Sequence, residues 1–277
     1  MKNQYQFICL ICFLIMFTFS CSDHDDFEKG ETNNFGIKEI VAQEKTNSRF
    51  LYNSSGKISE SQSLIFFERF TYDKMNRLVK AEKAADPLLL SSSYQAWASK
   101  TELMSASNCE ISQYELFIYD HSGQLTSIEN YNKKDGNFSY GSKRTFEYEG
   151  DRIVKMNYHL KNGEINNFNV YAYDKSGNVI SEKYYYNNYL GTPKLTLSSE
   201  TKFKYDTMNN PFRIFIETGY PGLYSNPNNV IETTRISYSN VPGFENPTIS
   251  KTSYEYNRNG YPVKVTDDTN SFWEYIY

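Results

Sequence analysis

The chain has 277 residues, of which 25 are Tyr and 19 are Phe, so 17% are aromatic. Aromatic residues suit the half-buried surface of a β-sheet. The formal net charge of −4 and the lack of a basic stripe argue against nucleic acid as a partner and against charge-driven membrane binding. Four cysteines, two of them in the N-terminal apolar run, and three scattered histidines offer no disulfide framework or metal site, and we expect no cofactor.

The N-terminus predicts export. Lys2 precedes an apolar run from Phe7 to Phe19, which ends at Ser20. One positive charge, a run of this length and a small residue at its end are typical of a signal peptide. The run is shorter than the about 20 residues that a membrane-spanning helix needs. We therefore predict a helical signal peptide over residues 1–20. The alternative is a buried core helix, which should show polar faces at helical period.

Cys21 is the predicted lipid anchor. The stretch Phe17–Cys21 resembles a bacterial lipoprotein signal, in which the cysteine is acylated, although Thr18 stands where an aliphatic residue is usual. The acidic residues 22–26 resemble the export tag of surface lipoproteins in the Bacteroidetes group. The resemblance implies a protein lipid-anchored to the outer membrane and exposed at the cell surface; the alternative is ordinary cleavage with Cys21 as a spectator. Residues 21–36 are polar and aperiodic, and they predict a flexible acidic tether.

Seven segments of residues 37–277 share one pattern. Each has an aromatic residue, any residue, an anchor tyrosine and then Asp, Asn or Glu; the anchors are Tyr52, Tyr72, Tyr119, Tyr148, Tyr173, Tyr205 and Tyr256. Aromatic residues two apart lie on one face of a strand. Asp or Asn at the first position of a type I turn bonds its own backbone two residues on. Gly or Asn four residues after the tyrosine accepts the left-handed conformation that closes such a hairpin.

Each unit therefore predicts a strand, a tight turn and a return strand. An aliphatic residue such as Ile58 or Leu125 begins the return strand, and in the last two units Pro211 and Pro262 come just before it. We expect an all-β fold, a single elongated and curled antiparallel sheet of consecutive β-hairpins. The turn position explains the repeated acids, for example Asp120, better than calcium binding or catalysis.

Two of the repeats, Tyr119–Leu125 and Tyr173–Val179, read Tyr-Asp-x-x-Gly-x-aliphatic. This pattern resembles the YD repeat of Rhs-type proteins. Large Rhs proteins close many such repeats into a shell around a toxin domain, and we expect seven repeats to be too few for closure. The chain is more similar to short YD-repeat lipoproteins of Bacteroidetes, which implies hairpin architecture without a specific activity.

Two insertions, residues 84–113 and 217–250, interrupt the hairpins. The first predicts a short helix from Tyr94 to Met104 that covers the sheet, and the second predicts an extra strand or a decayed repeat at Ile236–Tyr238. Long loops on a regular scaffold commonly hold binding sites. We therefore take the aromatics of both insertions as candidate ligand-binding residues, for a ligand such as a sugar ring; the alternative is that they cap exposed core. These candidates are Tyr94, Trp97, Tyr220 and Tyr224.

The sequence carries no recognisable catalytic motif. It has no Gly-x-Ser-x-Gly, no phosphate-cradling glycine loop and no His-Glu-x-x-His. We predict a non-enzymatic surface module that binds glycan, protein or envelope material. The alternative from the enzyme class is a carbohydrate-active hydrolase whose paired carboxylates come from insertions 84–113 and 217–250. A purely structural envelope component is the third hypothesis.

Overall fold

The computed structural model describes residues 36–86, 100–188, 194–238 and 247–277. The chain divides into two units, Met1–Asn34 and Phe35–Tyr277, and all described residues belong to the second. Within the described ranges, no helix has the length and apolar character needed to cross a membrane. The predicted signal peptide, Cys21 and the predicted tether up to residue 35 lie outside them.

The described residues form sixteen strands, each antiparallel to its neighbours along the chain. They are β1 (Glu39–Ala42), β2 (Lys45–Tyr52), β3 (Ile58–Ser63), β4 (Phe66–Tyr72), β5 (Leu78–Ala85), β6 (Gln113–Tyr119), β7 (Leu125–Lys134), β8 (Asn137–Glu149), β9 (Arg152–His159), β10 (Ile165–Tyr173), β11 (Val179–Asn188), β12 (Lys194–Tyr205), β13 (Val230–Ser237), β14 (Thr248–Tyr256), β15 (Pro262–Asp267) and β16 (Phe272–Ile276). A 3-10 helix, Pro211–Thr218, lies between β12 and β13.

The sheet is a closed barrel, so the all-β class is confirmed but the predicted open, curled sheet is wrong. β1 pairs antiparallel with β16, in a register that places Glu39 opposite Ile276 and Val41 opposite Glu274. Twist and coiling accumulate from strand to strand, which brings the first and last strands of so wide a sheet together. Closure then leaves neither strand with an unpaired edge. Seven repeats are therefore enough, because β1 and β16 complete the ring.

The predicted turn chemistry is confirmed. Asp120 Oδ1 accepts the backbone N–H of Ser122 at 2.9 Å and of Gln124 at 3.0 Å. Gly123 follows with a φ of 87°, in the left-handed region. The strand register shifts immediately before Tyr119, which marks a β-bulge at the anchor tyrosine. The carboxylate of the repeat thus folds the hairpin.

The sixth repeat is not a tight hairpin, and the return strand predicted after Pro211 is wrong. Pro211 instead begins the 3-10 helix, and Asn210 Oδ1 caps it by accepting the N–H of Phe212 at 2.9 Å. Proline suits a first helical turn because the N–H that it lacks would be unsatisfied there. The return strand is β13. Ile236 and Ser237, predicted to lie in an extra strand or a decayed repeat, are the end of this return strand.

The segment of residues 210–229, called the plug, fills one end of the barrel. Phe50 and Phe70 of the wall point inward and are each 6% exposed. The ring of Phe215 packs edge-on against both, with ring centroids 5.8 and 5.9 Å apart. A barrel of this many strands encloses a lumen too wide for wall side chains alone to fill. The plug therefore completes the core at the end where the tyrosine turns lie.

Polar and steric contacts fix the plug to the wall. Asn226 is 1% exposed; its Oδ1 accepts the N–H of Val179 at 2.8 Å and its Nδ2 donates to Tyr205 Oη at 2.9 Å. Gly219 ends the 3-10 helix with a φ of 69°, and a Cβ at this position would lie 2.7 Å from Leu125 Cδ2. The plug is therefore a close-fitting part of the barrel.

Tyrosine hydroxyls link each hairpin to the one before it. Tyr148 Oη donates to the carbonyl of Leu125 at 2.7 Å, and Leu125 begins the return strand of the preceding repeat. Burial raises the pKa of Tyr148 to about 12, so the hydroxyl stays protonated. Equivalent bonds form the rest of this tyrosine ladder: Tyr52 to Ile37, Tyr72 to Ile58, Tyr119 to Leu78, Tyr173 to Ile153, Tyr205 to Val179, Tyr254 to Val230 and Tyr277 to Pro262.

The outward face of the wall carries cross-strand ion pairs. Because side chains alternate between the two faces of a strand, these residues point away from the lumen, on the face opposite to that of the inward aromatics. The pairs are Arg49–Glu39 (2.9 Å), Arg69–Glu82 (2.6 Å), Lys155–Glu147 (2.7 Å), Lys204–Glu232 (2.8 Å) and Lys264–Glu255 (3.5 Å). Exposed pairs of this kind contribute little stability. They do mean that charged groups face outward in several sectors of the ring.

The described part of the first insertion covers a patch of this outer wall. Met104 packs over Phe67, which is outward-facing and 0% exposed, and Cys109 lies beside them. Residues 100–104, the described part of the predicted helix Tyr94–Met104, are not helical. This insertion therefore adds a small apolar cluster outside the barrel.

We expect Tyr148→Phe to lower the free energy of unfolding by about 1–2 kcal/mol, because the half-buried carbonyl of Leu125 loses its hydroxyl donor. The melting temperature should fall by roughly 2–6 °C for a chain of this size. Tyr140→Phe on the outer face is the matched control, since Tyr140 is not part of the tyrosine ladder. Thermal unfolding followed by circular dichroism measures both, and equal melting temperatures would show that the ladder contributes no stability.

Candidate ligand site in the barrel lumen

A cavity of about 390 Å³ lies inside the barrel against the plug. Its wall side comes from inward positions of β4, β5 and β6, among them Glu68, Lys83 and Glu115. Its plug side includes Tyr220 and Tyr224. This lumen cavity therefore combines charged groups from the repeats with aromatic rings from an insertion. Small-molecule sites in proteins commonly have such a composition and volume.

The charged side chains of the lumen cavity form one chain of ion pairs. Lys83 Nζ lies 3.4 Å from Glu68 and 3.0 Å from Glu115. Glu115 also accepts a bond from Arg144 Nη2 at 2.7 Å, and both of these side chains are 7% exposed. Two carboxylates and two cations are thus held within one network. Such pairing is what allows charges to be buried.

Arg144 joins the wall to the plug. Its guanidinium lies over the ring of Tyr220, with Cζ 4.1 Å from the ring centroid, a favourable cation–π distance. Its Nη1 is buried and has no hydrogen-bond partner among the described residues. Burial raises the pKa of Tyr220 to about 12, so its hydroxyl is neutral. Arg144 thus lies against two residues that line the cavity, Glu115 and Tyr220, and keeps one donor unused.

Polar lining continues around the lumen beyond this network. Tyr158 lies close to both Arg144 and Tyr220, and burial raises its pKa. Farther along the wall, Glu182 accepts bonds from Asn169 and Tyr171. Burial also raises the pKa of Glu182. The lumen wall on this side is therefore lined by hydrogen-bonding groups.

Among the described residues, the lumen cavity is open towards the end of the barrel opposite the plug. Leu223 lines the cavity and is 52% exposed. Ser142 and Thr248 occupy inward positions nearer that end and are also exposed. Exposed inward side chains require solvent inside the ring. Over the part of the barrel that the structure describes, the plug side of the lumen cavity is therefore accessible to solvent.

A second cavity, called the turn-end cleft, lies at the outer side of the plug and has a volume of about 830 Å³. It lies between the 3-10 helix and the tight turns of the third, fourth and fifth repeats. Arg152, Arg213 and Glu217 line it, and so does Tyr220, which separates it from the lumen cavity. Glu217 is ion-paired with Lys57. The plug thus has a cavity on each side.

The structure brings together two of the four aromatics predicted to bind a ligand. Tyr220 and Tyr224 both line the lumen cavity, and burial raises the pKa of each. Tyr224 also packs on Phe215, with ring centroids 5.1 Å apart. Tyr94 and Trp97 lie outside the described residues. The role of all four as ligand-binding residues stays a prediction.

Sequence reasoning missed the charged residues of the site. Glu68, Glu115 and Arg144 each stand two residues before the inward aromatic of a repeat. Side chains two apart share a strand face, so these charges had to point the same way as Phe70, Phe117 and Phe146. Charged residues on the buried face of an amphipathic strand were therefore an available signal.

The carboxylates of the two insertions do not meet in one cleft among the described residues. Asp86, Glu102 and Glu110 line a cavity of about 640 Å³ beside the outer wall. Glu217 lines the turn-end cleft, and Glu245 lies outside the described residues. The pairing expected for the hydrolase alternative is thus not formed by these side chains.

No family model matches the chain, and no curated protein matches it. Solved structures resemble the chain, among them the following three. A porin-like protein from Bacteroides vulgatus ATCC 8482 is 10% identical, with a TM-score of 0.49 over 87% of this chain and 98% of that chain. A protein with unknown function from Bacteroides fragilis NCTC 9343 is 16% identical, with a TM-score of 0.35 over 49% of this chain and 89% of that chain.

The third structure, TcdB2-TccC3, is 11% identical, with a TM-score of 0.30; the match covers 79% of this chain and 12% of that chain. Every one of these TM-scores is below 0.5. Similarity at this level does not indicate a function. The function is therefore inferred from the residues of the lumen and the wall.

Removing Arg144 should destabilise the barrel far more than removing a cation of the outer wall. We expect Arg144→Met to cost about 2–3 kcal/mol, because the Glu115 carboxylate is buried and keeps only Lys83 as partner. Adding Glu115→Gln to that variant should restore part of the loss. Lys155→Met is the outer-wall control, with an expected cost below about 1 kcal/mol. Urea unfolding measures the three variants, and similar losses for Arg144→Met and Lys155→Met would contradict the buried network.

Proposed function

We propose that the chain is an exported lipoprotein of the outer membrane, held at the cell surface by a lipid on Cys21. Its barrel acts as a non-enzymatic binding module for envelope material such as glycan. The single observation that carries the binding role is the lumen cavity, which is open to solvent at one end within the described part of the barrel. A component with only a structural role gains nothing from an accessible cavity lined by both charges and aromatic rings.

The outer wall supports attachment by lipid. A strand surface that faces lipid carries an apolar band. In this barrel, the outward positions of many strands carry charged pairs, such as Lys204–Glu232 and Lys155–Glu147. Apolar residues such as Leu51 are interspersed with them. A wall of this kind suits water, so we assign membrane attachment to the lipidated N-terminus.

We also propose kinship with the short YD-repeat lipoproteins of Bacteroidetes. The observation in favour is that the Asp, the glycine and the anchor tyrosine of the repeat each have a structural task. Asp120 accepts backbone N–H groups, Gly123 adopts a positive φ, and Tyr119 Oη donates to the preceding hairpin. A motif with three interlocking tasks is a better sign of shared architecture than a composition bias.

One observation favours a carbohydrate-active hydrolase as the second candidate. Glu68 and Glu115 flank the cavity that Tyr220 lines, and glycoside hydrolysis uses two carboxylates across a scissile bond. Both carboxylates come from wall strands and neither comes from an insertion. Lys83 Nζ lies between them, 3.4 and 3.0 Å away. The ammonium thus takes the place of a scissile bond, so we rank binding first.

The lipid anchor is tested by Cys21→Ser in a bacterial host that acylates lipoproteins. We expect the wild-type chain in the membrane fraction with incorporated fatty acid, and the variant in the water-soluble fraction without it. Cys109→Ser is the matched control and should remain acylated. Mass spectrometry of the mature N-terminus reads out the modification, and an unmodified Cys21 in the wild-type chain would exclude the anchor.

The binding role is tested with the mature chain on a glycan array and in pull-downs from the envelope extract of its own host. We expect capture of envelope material by the wild type, and loss of this capture in Leu223→Trp, which fills the lumen cavity at an exposed position. Leu51→Trp on the outer wall is the matched control and should bind normally. Capture that survives Leu223→Trp would place binding outside the lumen, and turnover of a bound glycan would favour the hydrolase.

A further inference from the structure

We propose that the lumen cavity recognises one class of ligand, a neutral and hydroxyl-rich saccharide unit, and that Glu68, Glu115 and Lys83 bind its hydroxyls. The inference rests on the proposed binding function and names the ligand chemistry of the same site. It follows from the charge balance, the hydrogen-bonding groups and the aromatic surface of the cavity.

The charge balance of the site favours an uncharged ligand. The carboxylates of Glu68 and Glu115 face the cations of Lys83 and Arg144, so the network has no net charge. A charged ligand would bring an unpaired charge close to the buried Glu115–Arg144 pair, which costs free energy. A neutral ligand leaves the existing pairs intact.

The hydrogen-bonding groups favour hydroxyls. Carboxylates only accept, whereas ammonium and guanidinium groups only donate. In the lumen cavity both kinds lie within one small volume, because Lys83 lies beside Glu68 and Glu115. A hydroxyl can donate to Glu68 or Glu115 and accept from Lys83 at the same time. Charge-assisted hydrogen bonds of this kind are stronger than those between neutral groups.

The plug supplies the apolar surface that the C–H faces of a sugar ring require. Arg144 covers one face of Tyr220, and Tyr220 lines the cavity together with Pro221 and Tyr224. The segment is held rigidly, because Asn226 bonds both Val179 and Tyr205 of the wall. A preorganised aromatic surface loses little freedom on binding. The volume of about 390 Å³ is near the small end of ligand pockets and suits a short saccharide.

The test is isothermal titration calorimetry on the mature chain with named probes. The neutral probes are maltose, cellobiose, lactose and N,N′-diacetylchitobiose, and the acidic probe is digalacturonate. We expect one-to-one binding of at least one neutral disaccharide. The affinity for the acidic probe should be lower than the affinity for that disaccharide by a factor of about ten or more. Tighter binding of digalacturonate, or binding of none of the neutral probes, would overturn the inference.

Two matched variants locate the binding. Glu68→Gln keeps the shape of the side chain but removes an acceptor charge, so affinity for the neutral probe should fall about tenfold or more. The same variant gives the site a net positive charge, so the difference in affinity between the acidic and the neutral probes should become smaller. Glu255→Gln, on the outer wall, should change neither value. Thermal unfolding confirms that both variants fold.

The outcomes separate the two proposals. Envelope capture that is lost in Leu223→Trp, combined with no binding of neutral disaccharides, leaves the binding function standing and rejects the saccharide class. Neutral disaccharide binding that is unchanged in Glu68→Gln rejects the assignment of these residues. Absence of both capture and saccharide binding rejects the function and the inference together.

Discussion

The structure depends on one repeated contact, the hydrogen bond from a tyrosine hydroxyl to the carbonyl that begins the preceding return strand. Ladder hydrogen bonds hold strands within a hairpin, but an isolated hairpin is only marginally stable. The bond from Tyr148 to Leu125 and its equivalents tie each hairpin to its neighbour at the turn end. The rings of the same tyrosines line the inside of the wall, so one residue type supplies both the polar link and part of the apolar core.

Closure of this ring creates a problem that the plug solves. Sixteen strands enclose more space than their inward side chains can fill. At the turn end Phe215 and its neighbours occupy that space, which produces a dry core. The plug does not extend to the opposite end of the barrel, where inward residues such as Ser142 and Thr248 are exposed. The lumen cavity lies at the boundary between these two regions, where buried charges meet solvent.

Local chemistry made the hairpins predictable, whereas closure and the plug depended on distant contacts. Asp120 and Gly123 act within a few residues of each other, so their spacing shows the turn. The pairing of β1 with β16 joins the two ends of the described chain and has no local signal. Pro211 and Pro262 stand at equivalent positions of two repeats, yet only Pro262 begins a strand. The residues after Pro211 place Phe212 and Phe215 three apart, a helical spacing.

The same regularity explains why the candidate site occupies one sector of the ring. The position two residues before the inward aromatic recurs in every repeat, but it is charged only in three consecutive ones, at Glu68, Glu115 and Arg144. Arg144 of β8 has to reach past β7 to contact Glu115 of β6. The ring of Tyr220, from the plug, covers its guanidinium. A repeated wall is nearly the same in all directions, so a distinct site arises where these three charged residues lie near the plug, which is not part of the repeat.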